Sequence, residues 1–400
     1  GAPNQVQSFA VGGTFTCAVR NDSKVKCWGA ATFGQLGIAP GEADSDCSGT
    51  PCDSVPRSSP GLTSVRELAL GEAHGCMVDL NNGVACWGEN RFGQLGRGSS
   101  DADPHPVPLA LSRFDAGQKI VSGRFHNCAI DEGKVFCWGL NHKGQLGVVS
   151  TATCTVNDAA LLSELGIVGS DAPCESEPVE VPGFSGALAL YAFAHQTCAI
   201  NGGGTLLCWG ENDAAQLAQT ASPTLPVTSF PRQDQRAFAL GASHGCGAFG
   251  ADNRLRCWGS HEDGALGVGS TALSTCGSVP CSATPITLAN LMSADLVAAG
   301  ETHSCAALDG NVRCWGSDAR GQLGNSENAI STCGSEPCAR TPVEVVDLSG
   351  VRQLRSGPYH ICALTSALEL YCWGANDLTQ SGGADKLDRG HASLIYGLER

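Results

Sequence analysis

Every tryptophan in this chain lies in the same tripeptide. Trp28, Trp87, Trp138, Trp209, Trp258, Trp315 and Trp373 are each preceded by cysteine and followed by glycine, at intervals of 49 to 71 residues. Self-similarity at such a period marks a repeat array, in which each unit is one supersecondary element too small to bury its own apolar face. The units share more than the tripeptide. The best-kept copy reads Gly-x-x-His-x-Cys, a short gap, Cys-Trp-Gly and then Gly-Gln-Leu-Gly, which is intact at 34–37, 93–96, 144–147 and 321–324. It is altered to Ala215-Gln216-Leu217-Ala218 in the fourth unit and to Gly264-Ala265-Leu266-Gly267 in the fifth.

Each unit reads as strands. In the sixth, Ala306-Ala307-Leu308 and Asn311-Val312-Arg313 flank Asp309-Gly310, a two-residue hairpin signal. Counting outward from that turn sets Cys305 opposite Cys314 at a non-hydrogen-bonded position, where side chains come close enough for a cross-strand disulfide. The same geometry is expected for Cys17 with Cys27, Cys76 with Cys86, Cys128 with Cys137, Cys198 with Cys208, Cys246 with Cys257 and Cys362 with Cys372. One strand precedes each Gly-x-x-His turn, as at Val65–Leu70, Leu296–Ala299 and Val351–Leu354. Another follows each Gly-Gln-Leu-Gly loop, as at Pro106–Leu109, Pro285–Leu288 and Pro342–Val346. The expected fold is all-β, a seven-bladed β-propeller of four-stranded blades forming a single domain over 1–400. A short turn at 159–165 is the only helical pattern. The first unit shows no Pro-Val-type fourth strand, and residues 392–398 follow the last glycine-rich loop. That terminal strand is therefore expected to complete the first blade and close the ring.

The other eight cysteines fall in insertions at about 38–58, 148–178, 268–284 and 325–341. They pair locally as Cys47 with Cys52, Cys154 with Cys174, Cys276 with Cys281 and Cys333 with Cys338. Eleven local pairs thus account for all 22 cysteines, whereas zinc would need thiolates gathered in fours. Neither a metal nor a cofactor is expected; Asp44 and Asp46 beside Cys47 would be the place for calcium, and a solvated acidic loop is the plainer reading. So many disulfides imply an oxidising compartment: secreted, periplasmic or cell-surface. The opening Gly1-Ala2-Pro3-Asn4 has no charged or apolar signal segment, so any secretion signal is expected to have been removed. A formal charge of −15, from 39 acidic and 24 basic side chains, repels phosphate. Nucleic acid is therefore not expected as a partner, nor is an anionic membrane surface, and no apolar run is long enough for membrane insertion.

The repeated residues resemble the regulator of chromosome condensation repeat, also found in propeller-type β-lactamase inhibitor proteins. The resemblance covers nearly the whole chain and implies the propeller fold. The founding eukaryotic member is a nucleotide exchange factor on a nuclear GTPase and contacts chromatin. The acidic, disulfide-rich composition departs from that setting and is similar to secreted bacterial members, so exchange activity is not carried over.

Strand direction places the Gly-x-x-His turns and the loops after each tryptophan on one face. The non-repeating residues there include Phe33, Arg91, Phe92, Arg124, Phe125, His142, Lys143, Arg320 and Tyr359. Aromatic and arginine side chains at turns are the types enriched in interface hot spots. The recurring His74, His126, His244, His303 and His360 are expected to hydrogen-bond turns within their own blades, and the tryptophans to anchor blade to blade. No catalytic constellation stands out. The expected function is a binding module that engages a protein partner through this face. The alternatives are a carbohydrate or cell-wall binding propeller, a structural subunit of an extracellular assembly, and an enzyme working at the tunnel mouth. Oligomeric state is not encoded in these patterns.

Overall fold

A computed structural model describes residues 5–219, 222–230, 235–250, 252, 254–271, 273–289, 291, 293–325 and 331–398. They form seven antiparallel sheets arranged as the blades of a propeller. In the first blade the strands run, from the axis outward, Val6–Val11, Phe15–Arg20, Val25–Ala30 and Thr50–Ser58. The other blades repeat this order. Four blades carry a fifth short strand outside the fourth, at Ser45–Cys47, Thr153–Thr155, Ser274–Cys276 and Ser331–Cys333. These strands belong to the cysteine-bearing insertions, which are hairpins continuous with the outer strands. In the first blade Cys52 pairs with Ala30, the last residue of the third strand, so the hairpin projects beyond the sheet on the turn side.

Ring closure differs from the sequence expectation. The terminal strand, Arg389–Leu394, does not complete the first blade; it is the outer strand of the seventh, paired with Leu370–Gly374. The first blade supplies its own outer strand from Thr50–Ser58, whose Pro56 is followed by the polar Arg57-Ser58-Ser59 and so lacks the apolar signature of the other outer strands. The ring therefore closes by side-chain packing between blades seven and one. Trp28 packs there with Cys362, Leu364, Cys372 and Ile395.

The same contact is made at every seam. Cys305 faces Cys314 across the hairpin with Cα atoms 4.1 Å apart, the close spacing of a non-hydrogen-bonded pair. All seven hairpin disulfides share that register and separation. Cysteine and tryptophan are adjacent in the third strand, so they point to opposite faces of the sheet. Each disulfide consequently packs against the tryptophan of the following blade: Cys17–Cys27 on Trp87, Cys76–Cys86 on Trp138, and so around to Cys362–Cys372 on Trp28. The indole N–H then donates to the Gly-Gln-Leu-Gly loop of the preceding blade, as Trp87 Nε1 does to the Gln35 carbonyl at 2.8 Å and Trp373 Nε1 to the Gln322 carbonyl at 3.0 Å. Trp28 closes the ring on the Gln380 carbonyl at 3.1 Å.

The recurring histidines also join blades, which corrects the expectation that each serves its own. His74 Nε2 lies 3.0 Å from Asn127 Oδ1, His126 Nε2 2.9 Å from Thr197 Oγ1, and His244 Nε2 2.7 Å from Ser304 Oγ, each partner being on the next blade. His303 reaches Ser356 at 2.9 Å, and His360 reaches Thr16 at 2.9 Å across the closing seam. The hydroxyls of Thr16, Thr197 and Ser304 donate onward to the same loop carbonyls that the indoles use, or to Ala265 in the fifth blade, so they accept from the ring. The histidines are thus neutral Nε2–H tautomers, with bare Nδ1 atoms that have no partner. Glycine at the head of the turn makes room for the ring: a Cβ on Gly71 would stand 2.1 Å from His74 Cε1.

Burial holds the ring of His303 neutral, lowering its pKa to about 3, with His244 and His360 adding to the effect. Below about pH 6.5 the unfolded chain takes up a proton that the native ring refuses, so stability falls as pH drops from about 6.5 toward 3. Gln196 occupies the equivalent position of the fourth blade and donates to the Gly241 and Ala242 carbonyls, so glutamine is compatible with this site. His303→Gln is expected to fold and to flatten the stability slope between pH 4 and 6 by about 1.4 kcal/mol per pH unit, read by urea unfolding. An unchanged slope would mean the ring is already charged.

The two disulfide classes differ in consequence. Cys305 and Cys314 are fully buried at a seam, whereas the 333–338 bond sits in an edge hairpin that can detach without opening the ring. C305A/C314A is expected to cost about 2–3 kcal/mol from chain entropy, and more because the Trp373 indole would face a void where the sulfurs now pack. C333A/C338A is expected to leave the global transition nearly unmoved in the same experiment.

Candidate functional site

The inner strands alternate between seam and axis. Phe9, Leu68, Ile120, Leu190, Phe238, Val297 and Leu354 occupy one repeat position, and all but the half-buried Leu68 are buried between blades. The residue after each of these borders a central cavity of about 1140 Å³, and Tyr191 and Arg355 are the long side chains at that level. One turn closer to the hairpin end are Glu67 and Lys119, which form an ion pair.

The cavity opens on the turn face. The second residue of each Gly-x-x-His turn reaches its mouth, and at three blades this residue is charged: Glu72, Arg124 and Glu301. The loops after the tryptophans add Glu211, Arg320 and Asp377, and the short helix Ala159–Glu164 of the third insertion adds Glu164. The mouth therefore carries five carboxylates, Glu72, Glu164, Glu211, Glu301 and Asp377, against two guanidinium groups, Arg124 and Arg320. A low-dielectric wall around an excess of one sign focuses the field outward, here for cations. Burial raises the Glu72 and Glu301 carboxyls above the usual range, with Arg124 working against the shift.

The arginines singled out from the sequence are tethered. Arg124 pairs with Glu164 at 2.6 Å and with Glu72 at 3.4 Å. Arg91 pairs with Asp158 at 2.6 Å and with Glu89, and its guanidinium lies 4.8 Å from the ring of Phe33. Arg320 spans to Asp377 at 3.1 Å and to Asp388. Lys143 pairs with Glu211 and Asp213. Asp158 also caps the helix by accepting from Leu161 N at 3.0 Å, so these ions position the insertion over blades two and three.

Two candidates from the sequence are corrected. Phe92 and Phe125 are 0% and 1% exposed, with ring centroids 5.0 Å apart beneath Leu161, Leu162 and Leu165. They are the satellite core on which the helix rests and offer no surface to a partner. Phe33 is half-buried, and His142 stands edge-on to His195 at 4.7 Å, where burial lowers its pKa to about 4. Tyr359 is 43% exposed at the mouth. Asp44 and Asp46 hold backbone: Asp46 Oδ1 accepts from Gly49 N at 2.7 Å, and Asp44 Oδ1 from Ser54 N at 3.4 Å. The mouth carboxylates were not singled out from the sequence. Glu72 and Glu301 share a repeat position with Arg124, and that alignment was the available signal.

A smaller cavity of about 220 Å³ lies beside the mouth, lined by Phe33, Gln35, Glu72, Glu89, Arg91 and Arg124 among others. Glu89 is fully buried, and its Oε2 has no hydrogen-bond partner.

Profiles of the regulator of chromosome condensation (RCC1) repeat match residues 6–35, 65–94, 118–145 and 295–322 in one form, and 82–130 and 132–198 in another. The chain carries regulator of chromosome condensation repeats. Over 407 residues it is 25% identical to the ultraviolet-B receptor UVR8 of Arabidopsis thaliana, covering 99% of this chain and 83% of that one. A stretch of 174 residues is 32% identical to the human probable E3 ubiquitin-protein ligase HERC4, covering 42% of this chain and only 16% of that protein. Among solved structures, Prp20p of Saccharomyces cerevisiae superposes with a TM-score of 0.75 at 20% identity over 99% of this chain and 88% of that one. That likeness establishes the RCC1 fold.

Burial raises the Glu89 carboxyl to about 7, partly offset by Arg91. Between about pH 4.5 and 7 the native state holds a proton that the unfolded chain releases, so this group withdraws stability as pH rises through that window. Glu89→Gln is expected to remove the decline, so that its stability relative to the parent is higher at pH 8 than at pH 5 by thermal or urea unfolding. A variant less stable at pH 8 than at pH 5 relative to the parent would reverse the assignment.

Proposed function

We propose that this chain is a protein-binding propeller of an oxidising compartment, secreted or cell-surface, and that it receives a basic surface of its partner on the turn face. The acidic mouth carries the reading: five carboxylates, four of them shared with Arg124, Arg320 or Lys143 and Glu301 without an ion pair among the described residues, outnumber the cations around an opening that also exposes Tyr359. Charge complementarity of this kind speeds encounter and rejects partners of the same sign. An exposed aromatic side chain on such a rim is a typical anchor. The stapled hairpins and the salt-bridged helix keep the rim ordered, so little entropy is lost on docking. Relatives of the same repeat are described with protein partners: yeast Prp20 is bound to Kap60 in one structure and is described with binding to Gsp1p and histones in another. Eleven cross-links and no free cysteine support the compartment. No helix among the described residues is long and apolar enough to cross a membrane.

The test is affinity capture from the extracellular fraction of the source organism, followed by titration of whatever is retained. Capture is expected to weaken with salt, and to fall by at least about tenfold in the triple variant E72Q/E301Q/Y359A with its melting temperature unchanged. A partner bound equally well by that variant would place binding elsewhere on the ring.

A further inference from the structure

We infer that the waist of the central channel is a binding site for the carboxylate of a small zwitterionic ligand of peptide type, held by Arg355 and Tyr191. The Arg355 guanidinium is a charge that the described residues leave without a carboxylate. Arg91, Arg97, Arg124, Arg256, Arg320 and Arg389 each have a carboxylate partner. Arg355 has none among the described residues, although the chain carries a large excess of acid; Arg66, Arg113, Arg340 and Arg352 also lack one, but each contacts another segment through backbone, sulfur or a Phe136 ring, whereas Arg355 reaches only its neighbour. Its one hydrogen bond, from Nη1 to the Leu354 carbonyl at 3.0 Å, goes to the adjacent peptide. The side chain is open to the channel yet surrounded by protein, and this crowding makes the guanidinium easier to discharge than usual, with Glu67 and Tyr191 the groups that oppose the shift. A bound anion would reverse that penalty.

The surroundings are built to leave room there. Arg355 lies in the inner strand of blade seven, two residues before its turn glycine; Tyr191 holds the same position in blade four, on the opposite side of the ring. The other five blades place Ala10, Ala69, Val121, Ala239 and Ala298 at that level, so short side chains surround one guanidinium and one phenol. The Tyr191 ring is fixed edge-on against Phe238 at 4.7 Å, and its hydroxyl has no hydrogen-bond partner among the described residues. A guanidinium and a phenol O–H projecting into one lumen are both donors to a carboxylate.

The other end of the ligand is set by the mouth. Glu301 of blade six, next to Arg355's blade, makes no hydrogen bond or ion pair through its carboxylate among the described residues, and it stands three repeat positions nearer the opening. At about 3.3 Å per extended residue, the backbone levels of Arg355 and Glu301 are at most roughly 10 Å apart along the axis, a separation that an extended tripeptide can bridge. A simple anion entering from this face would meet the acidic mouth first; a ligand with an ammonium group at the far end would be favoured by it. The ligand shares Glu301 with the docking face, but its carboxylate site lies below that face, so Arg355 and Tyr191 distinguish the two.

Triglycine is the probe, titrated at low ionic strength by calorimetry into the intact protein. Saturable binding of one equivalent is expected, with triglycine amide and acetyl-triglycine each at least about tenfold weaker. Arg355→Gln should erase the difference between acid and amide, Tyr191→Phe should weaken the acid alone, and Glu301→Gln should erase the difference between the free amine and the acetylated form. A ten-residue peptide with an acetylated N-terminus, one internal lysine and a free C-terminal carboxylate separates two sources of the same chemistry. Tighter binding of triglycine assigns a free small peptide, and tighter binding of the long probe assigns the tail of a protein; both retain the site. No saturable binding of either probe at roughly ten millimolar, or full binding by the Arg355→Gln protein, overturns it. Partner capture by Arg355→Gln should equal that of the parent, which keeps this outcome separate from the test of the turn face.

Discussion

A disulfide pressed against an indole is the contact on which this ring depends. It recurs at seven seams because cysteine and tryptophan are neighbours in one strand and therefore emerge on opposite faces of one sheet. Each blade thus presents a cross-link on one side and an aromatic plate on the other, and identical blades are self-complementary in sequence. The indole N–H and the histidine Nε2–H then find acceptors across the seam, while the histidine Nδ1 atoms stay without a partner among the described residues. Removing any one of these leaves a buried donor or acceptor unsatisfied, which costs more than the bond itself contributes.

Much of this was legible in the sequence. Asp309-Gly310 fixed the register that sets Cys305 against Cys314, because a two-residue turn leaves no freedom in pairing. The outer strand of the first blade was not legible, because Pro56 is followed by Arg57-Ser58-Ser59, where the blades with the same hairpin have Pro285-Ile286 and Pro342-Val343. The histidine bridges were encoded but distributed between units. Where a blade has His74, His126, His244 or His360, the following blade offers Asn127, Thr197, Ser304 or Thr16; where Phe15 or Gln196 replaces histidine, the following blade has Gly75 or Gly245. That pairing is visible only when each unit is read against its successor, and His303 with Ser356 departs from it.

The site was less legible for a different reason. Arginine and phenylalanine at turns suggested contact residues, yet Phe92 and Phe125 were absorbed by the insertion helix, Arg91 and Arg124 by the insertion's carboxylates, and Arg320 by Asp377 and Asp388. An insertion that packs on its own scaffold consumes the side chains nearest to it. What remains free is on the axis and at the opposite rim: Tyr359, Glu301, Tyr191 and Arg355. Their convergence depends on blades that are far apart in the chain, and no local pattern reports which position of an inner strand looks into the channel.

The interlocked seams also divide the cross-links by how easily chemistry can reach them. A thiolate must approach a disulfide sulfur to exchange with it, and at each seam that approach is blocked by the next blade's indole. The hairpin bonds at 276–281 and 333–338 lie at sheet edges, where Cys276 and Cys333 are only partly covered. A mild reductant would therefore strip the rim while the ring stayed locked, and the inner bonds would yield only when blades part. Against a changing redox environment the molecule behaves as a sealed hoop with sacrificial outer clasps.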